Sequence, residues 1–167
     1  MYQVVTITPK IPLMKKRSRT PPLQQIIKES QLHYISVGDS HLYLLRNNAL
    51  ILQNKEHNFG ALLKEQAARG EVAPNEPYVN PKRDALTAYI GVGNFNTFDH
   101  NSIPLQVGDK IMLCSDGVFN ALENDEIISA LSSDAVNSAK QIQQKILSLE
   151  IPSQDNFTAI IIECLKN

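Results

Sequence analysis

An α+β fold is predicted by three features of this sequence. Short apolar runs bounded by Gly, Asn, Asp or Pro occupy much of its first two thirds, as β-strands do. The clearest helical periodicities gather late, over residues 124–149. Strand and helix signals do not alternate, which argues against repeated βαβ units and for segregated sheet and helix. The length of 167 residues suits one domain.

Residues 1–25 stand apart from the rest. They hold Pro9, Pro12, Pro21 and Pro22 and the run Lys15-Lys16-Arg17-Ser18-Arg19, and no amphipathic period is visible. An extended or disordered basic arm is expected there. From Ile26 the pattern becomes regular. Residues 32–37 read as a strand, Gly38-Asp39-Ser40 as a turn and 41–46 as a second strand. Asn47-Asn48 is a two-residue hairpin turn, because Asn tolerates left-handed angles, and 49–53 form a third strand. Residues 59–68 have helical spacing and stop at Gly70. A loop through Pro74, Pro77 and Pro81 follows. Residues 85–90 are expected as a strand, and 95–103 as extended.

The stretch Gly108-Asp109 to Leu122 organises the chain. Ile111 to Cys114 is short and apolar, as in a buried strand. It breaks at Asp116-Gly117, where glycine adopts backbone angles that other residues resist, and then resumes as a helix-compatible run. Asn124-Asp125-Glu126 starts a helix, with acids near its positive end. Residues 134–149 form a longer helix with Val136, Ala139, Ile142, Ile146 and Leu149 on one face, ended by Pro152. Residues 157–164 are a final buried strand.

Composition narrows the function. A hydrophobic fraction of 43% and a charged fraction of 20% are those of an ordinary globular protein. The net charge of -1 gives no general pull toward nucleic acid or anionic membrane. No apolar run is long enough to cross a bilayer. Cys114 and Cys164 lie in apolar runs and read as buried free thiols. A cytoplasmic location is expected.

Three turns each place an aspartate beside an apolar strand: Val37-Gly38-Asp39-Ser40, Cys114-Ser115-Asp116-Gly117 and Gln154-Asp155-Asn156. Hard divalent cations favour carboxylate oxygens held on such edges. Spacing alone leaves open whether the three converge.

The wording of these segments resembles the metal-dependent protein phosphatases of the PPM type, the type 2C family, in their compact bacterial form. The segments are Val37-Gly38-Asp39-Ser40 with Tyr43-Leu44-Leu45-Arg46, then Leu86-Thr87-Ala88-Tyr89-Ile90-Gly91, then Gly108-Asp109 through Cys114-Ser115-Asp116-Gly117-Val118, and finally Asp155-Asn156-Phe157-Thr158. Glu56-His57-Asn58 through Gly70-Glu71-Val72 also resembles the family's loop and helix before its flap. Four motifs in family order make a specific signal. The resemblance covers residues 26–167, as the C-terminal part of such a domain. It implies a sandwich of two antiparallel sheets flanked by helices in α-β-β-α layers. It also implies two Mg2+ or Mn2+ ions that activate water to hydrolyse phosphoserine or phosphothreonine. By the same resemblance Asp116 and Asp155 are metal ligands, and Asp39 serves a weaker third metal site. The partners implied are a phosphoprotein substrate and a cognate Ser/Thr kinase.

The pattern also departs from the family. Its acidic strand and Asp-Gly-x-Gly-Gly turn have no match, and before Asp39 the only acid is Glu29. The first sheet is expected to lack strands, and activity to be impaired. Asn120 stands where an aspartate is frequent, and His41 where arginine is usual, as a surface-strand substitution. His33, His57 and His100 read as structural or solvated. The abrupt change at Ile26 suggests a frameshift or misplaced start. The rival to an enzyme is a catalytically silent PPM-like binding module or a gene remnant.

Overall fold

A computed structural model describes residues 1–7, 23–88, 98–152 and 154–166. Its strands are β1 (Tyr2–Ile7), β2 (Leu23–Lys28), β3 (Gln31–Ser36), β4 (His41–Arg46), β5 (Ala49–Leu52), β6 (Asp99–Pro104), β7 (Lys110–Cys114) and β8 (Ala159–Cys164). The helices are α1 (Phe59–Ala68), α2 (Glu76–Val79), α3 (Asp116–Phe119), α4 (Asn124–Leu131) and α5 (Ala135–Ser148). Every strand pairing is antiparallel. One sheet has the order β1-β8-β7-β4-β5 and the other β2-β3-β6.

Side-chain alternation sorts the core into two layers. Leu42, Leu44, Ile111, Leu113 and Ile162 leave one face of the large sheet and meet Leu32, Tyr34 and Ile103 of the small one. Tyr43, Met112, Cys114, Ala159 and Ile161 leave the opposite face and meet Ile127 and Leu131 of α4 and Ala139, Ile142 and Ile146 of α5. Because β4 and β7 are covered on both sides, they read as continuous apolar runs rather than alternating ones. The two thiols are free and buried, as expected.

Local chemistry sets the element ends. Asn47 and Asn48 have φ of 52° and 62° and close the β4–β5 hairpin. Glu29 and Ser30 repeat that turn between β2 and β3, with φ of 51° and 59°. Nothing in Glu-Ser signals a turn, so this hairpin was not expected. The Asn58 side chain caps α1 by accepting from the Ala61 N–H at 2.8 Å. Asp134 accepts from Val136 and Asn137 to cap α5. Glu123 and Glu126 form a capping box on α4.

Five expectations about the elements need correction. Tyr2–Ile7, placed in an extended or disordered arm, is extended but belongs to the sheet, paired along its length with β8. Val5 and Ile7 alternate inward and pack on the helical side of the core; the nearby prolines and basic run hid this short period. Residues 8–22, which include Lys15-Lys16-Arg17-Ser18-Arg19, lie outside the described residues. On α5 the buried face is Ala135, Ser138, Ala139, Ile142 and Ile146, while Val136 and Leu149 are exposed. Residues 85–90 do not give a strand over their described part: Leu86 makes only an isolated bridge to Asn58, and residues 89–97 lie outside the description. The Pro-rich loop contains α2, started by Pro77 in its first turn.

The fifth concerns Gly117. It lies within α3 and is not among the residues with positive φ, so it is not there for its backbone freedom. A Cβ at this position would stand 2.5 Å from the Asn156 carbonyl oxygen and 3.1 Å from the Phe157 Cβ. Glycine is required because two backbones touch. We expect Gly117→Ala to lower unfolding stability by about 2 kcal/mol through overpacking, measured by urea denaturation. An unchanged midpoint would refute this account.

Candidate functional site

The register of the large sheet gathers the motif aspartates. His41 of β4 lies opposite Cys114 of β7. Asp39 precedes His41 by two residues and Asp116 follows Cys114 by two, so both emerge at the same end. Cys114 also lies opposite Ala159 of β8, which brings the Asp155-Asn156 turn to that end. The contact between Gly117 and Asn156 then seats one turn on the other. The Ser115 hydroxyl fastens them further, accepting from the Thr158 N–H at 3.0 Å.

Asp39 and Asp116 line a cleft of about 260 Å³. Its walls also carry Glu56, Asn58, Asp84, Asn120 and Phe119, with Lys64, Arg83 and Tyr78. Asp155 is exposed and is not among the lining residues, although its charge reaches Asp116. Asp39 and Asp116 thus share the cleft, and Asp155 flanks it.

These carboxylates are under electrostatic stress. Burial, then the Asp116 charge, then Glu56 push the Asp39 carboxyl above its ordinary value. Burial and Asp155 push Asp116 up, partly offset by the Gly117 N–H bonded to its Oδ1 at 2.9 Å. Glu56 is displaced the other way, chiefly because it accepts a hydrogen bond from His41.

His41 is not a surface substitution. It is buried, stacked on Phe119 with ring centroids 3.6 Å apart. Its Nε2 lies 2.7 Å from Glu56 Oε1 and its Nδ1 2.7 Å from the Tyr43 hydroxyl. His57 is buried and structural, bonded to the Gly38 peptide, while His33 and His100 are solvated. Glu56, Asn58, Lys64, Arg83, Asp84 and Phe119 were not expected at the site. Of these, Glu56, Asn58, Lys64 and Phe119 lay in segments with a sequence signal, whereas Arg83 and Asp84 did not.

The donors suit a divalent cation: they are hard carboxylate oxygens, half-buried and repelling one another. Among the described residues, no three His, Cys, Asp or Glu side chains close into a ready cage. Such donors could hold a cation that keeps part of its water shell, with Asp39 and Asp116 lining the cleft and Asp155 at its flank.

Comparison with solved structures defines the class first. The Mycobacterium tuberculosis serine/threonine phosphatase PstP/Ppp superposes with a TM-score of 0.70 at 23% identity, over 86% of this chain and 59% of that one. The catalytic domain of PstP in complex with two manganese ions gives 0.67 at 23% identity, over 86% and 58%. The fold is that of the PPM-type phosphatases. A curated relative, the serine/threonine phosphatase stp of Listeria welshimeri, is 30% identical over 138 residues, 83% of this chain and 54% of the relative. No family model matches the chain. In fold and in sequence the chain is similar to the PPM-type Ser/Thr protein phosphatases, and it spans about half the length of the curated relatives it matches.

The raised carboxyl of Asp116 has a consequence without any metal. A group whose pKa is higher folded than unfolded favours folding below its unfolded pKa, and that stability is lost as pH rises through the folded value. Near neutral pH in EDTA, Asp116→Asn should therefore raise Tm by roughly 2–4 °C, with water on the open side screening part of the repulsion. The gain should vanish below about pH 4. A lower Tm for the variant at pH 7 would contradict the repulsion.

Proposed function

We propose that this chain carries part of a metal-dependent protein phosphatase site, in which Asp116 and Asp155 ligate Mg2+ or Mn2+ and Asp39 holds a weaker third ion. The observation that supports it is the convergence of Asp39 and Asp116 on one cleft through the β4–β7 register. A divalent cation there would neutralise phosphate charge and lower the pKa of bound water for hydrolysis of a phosphoserine or phosphothreonine ester. In this reading Lys64 and Arg83 at the cleft wall draw the phosphate in, and the carboxylates orient the water. The substrate is a phosphoprotein, and the enzyme opposes a Ser/Thr kinase. A cytoplasmic location goes with this reading of the function; separately, no helix among the described residues is long and apolar enough to cross a membrane.

That no ready three-ligand cage occurs among the described residues favours a second reading, a catalytically silent module that binds a phosphoprotein. Both readings share the cation pocket. Titration calorimetry should show weak Mn2+ binding that Asp116→Asn abolishes; equal affinity in the two proteins would reject the pocket. Turnover of p-nitrophenyl phosphate by this chain should stay near background, because three carboxylates are a thin set for two or three ions. Robust Mn2+-dependent turnover, lost in Asp155→Ala, would instead show a self-sufficient enzyme and dismiss the silent module.

A further inference from the structure

We propose that His57 is a positioning residue for this site, fixing Asp39 by holding both polar atoms of the preceding residue, Gly38. The proposal rests on the reading of Asp39 as a cation ligand.

Gly38 turns the chain with φ of 103°, a conformation glycine reaches freely but does not hold by itself, so the placement of the turn depends on support from its surroundings. That support comes from one residue 19 positions away. The Gly38 N–H donates to His57 Nδ1 at 3.1 Å, and the His57 N–H donates to the Gly38 carbonyl at 2.8 Å. For Nδ1 to accept, the ring must be neutral with its proton on Nε2. The His57 carbonyl in turn accepts from the Thr87 N–H at 2.8 Å. Asn54 holds the other flank of the turn: it accepts from the Leu42 N–H at 2.7 Å and donates to the Ser40 carbonyl at 2.8 Å and the Ser36 hydroxyl at 2.9 Å. Both side chains are buried.

These bonds are not needed to build the sheet. Strand β4 is already held on both sides by β5 and β7. The His57 bonds instead hold the two peptides on either side of Gly38, the second of which carries Asp39 into the cleft. A cation site tolerates displacements of only about 0.5 Å, and nothing in the sheet ladder reaches Gly38. His57 thereby sets how far Asp39 stands from Asp116 without itself lining the cleft.

The test combines His57→Phe, which keeps ring bulk but removes the acceptor, with His57→Asn, which restores an acceptor. Amide exchange by mass spectrometry and Mn2+ calorimetry are read on each. In His57→Phe we expect exchange over 38–40 to rise about tenfold while β4 and β7 stay protected, and Mn2+ affinity to fall about tenfold, as for other supporting residues of metal sites. His57→Asn should bring both back to within about threefold of the wild type. If His57→Phe also loosens β4, His57→Gln, with its acceptor one carbon farther out, provides the comparison. Wild-type Mn2+ affinity in a folded variant that lacks the acceptor overturns the proposal and leaves the cation reading standing. A wild-type protein that binds no Mn2+ overturns the cation reading, and this proposal with it.

Discussion

Strands β4, β7 and β8 lie side by side in antiparallel register, and the site follows from that. Pairing His41 with Cys114 and Cys114 with Ala159 sends three chain segments out of the same sheet end. A shift of one residue would reverse which side chains face the helices and which face the small sheet. It would also separate Asp39 from Asp116. The apolar alternation of Leu42, Leu44, Ile111, Leu113, Ile160 and Ile162 therefore does two jobs. It buries the core, and it fixes the offset of the carboxylates. Gly117 completes the constraint, because only a residue without a Cβ lets the Asp116 turn rest on the Asn156 backbone.

Charge is also ordered around a second cluster at the far end of the sheet. There Asp109, 2% exposed, accepts from Arg46 Nε at 2.8 Å and Nη2 at 2.6 Å, and from the Gln106 N–H at 2.7 Å. Such a bidentate pair on a buried carboxylate is satisfied and inert. The cleft carboxylates differ. Asp39 and Asp116 repel each other across the cleft and lack an equivalent bidentate partner, with Lys64 and Arg83 set in the wall and about half exposed. One acid cluster is neutralised by the fold and the other is not, which is the physical ground for placing chemistry at the second.

Much of this was legible in the sequence. Runs such as 41–46 and 111–114 were long and apolar enough to identify as buried strands, and Asn47-Asn48 announced its turn. The three aspartates stood out because each followed or preceded such a run. What escaped notice depended on partners far away in sequence. Glu29-Ser30 takes left-handed angles without Gly or Asn, because the β2–β3 ladder imposes them. Val5 and Ile7 became core residues only once β8 was beside them. His41 looked like a surface residue because nothing local predicts its stack on Phe119, 78 positions on. Gly117 was singled out correctly, but its reason was a contact rather than an angle.

The segment after β5 shows why the motif aspartates alone do not make the site. Four alternate or adjacent residues in it act on the cleft by different means. Asn54 and His57 hold the Asp39 turn, Glu56 enters the cleft braced by His41, and Asn58 both lines the cleft and caps α1. None belongs to an Asp-Gly motif. The strained carboxylates make folding less favourable without a cation, and any cation that binds only the folded state returns that stability by mass action. A site of this kind is held open against its own repulsion by neighbours that are themselves fully bonded. The precision resides in those neighbours, and the uncompensated charge in the carboxylates they hold.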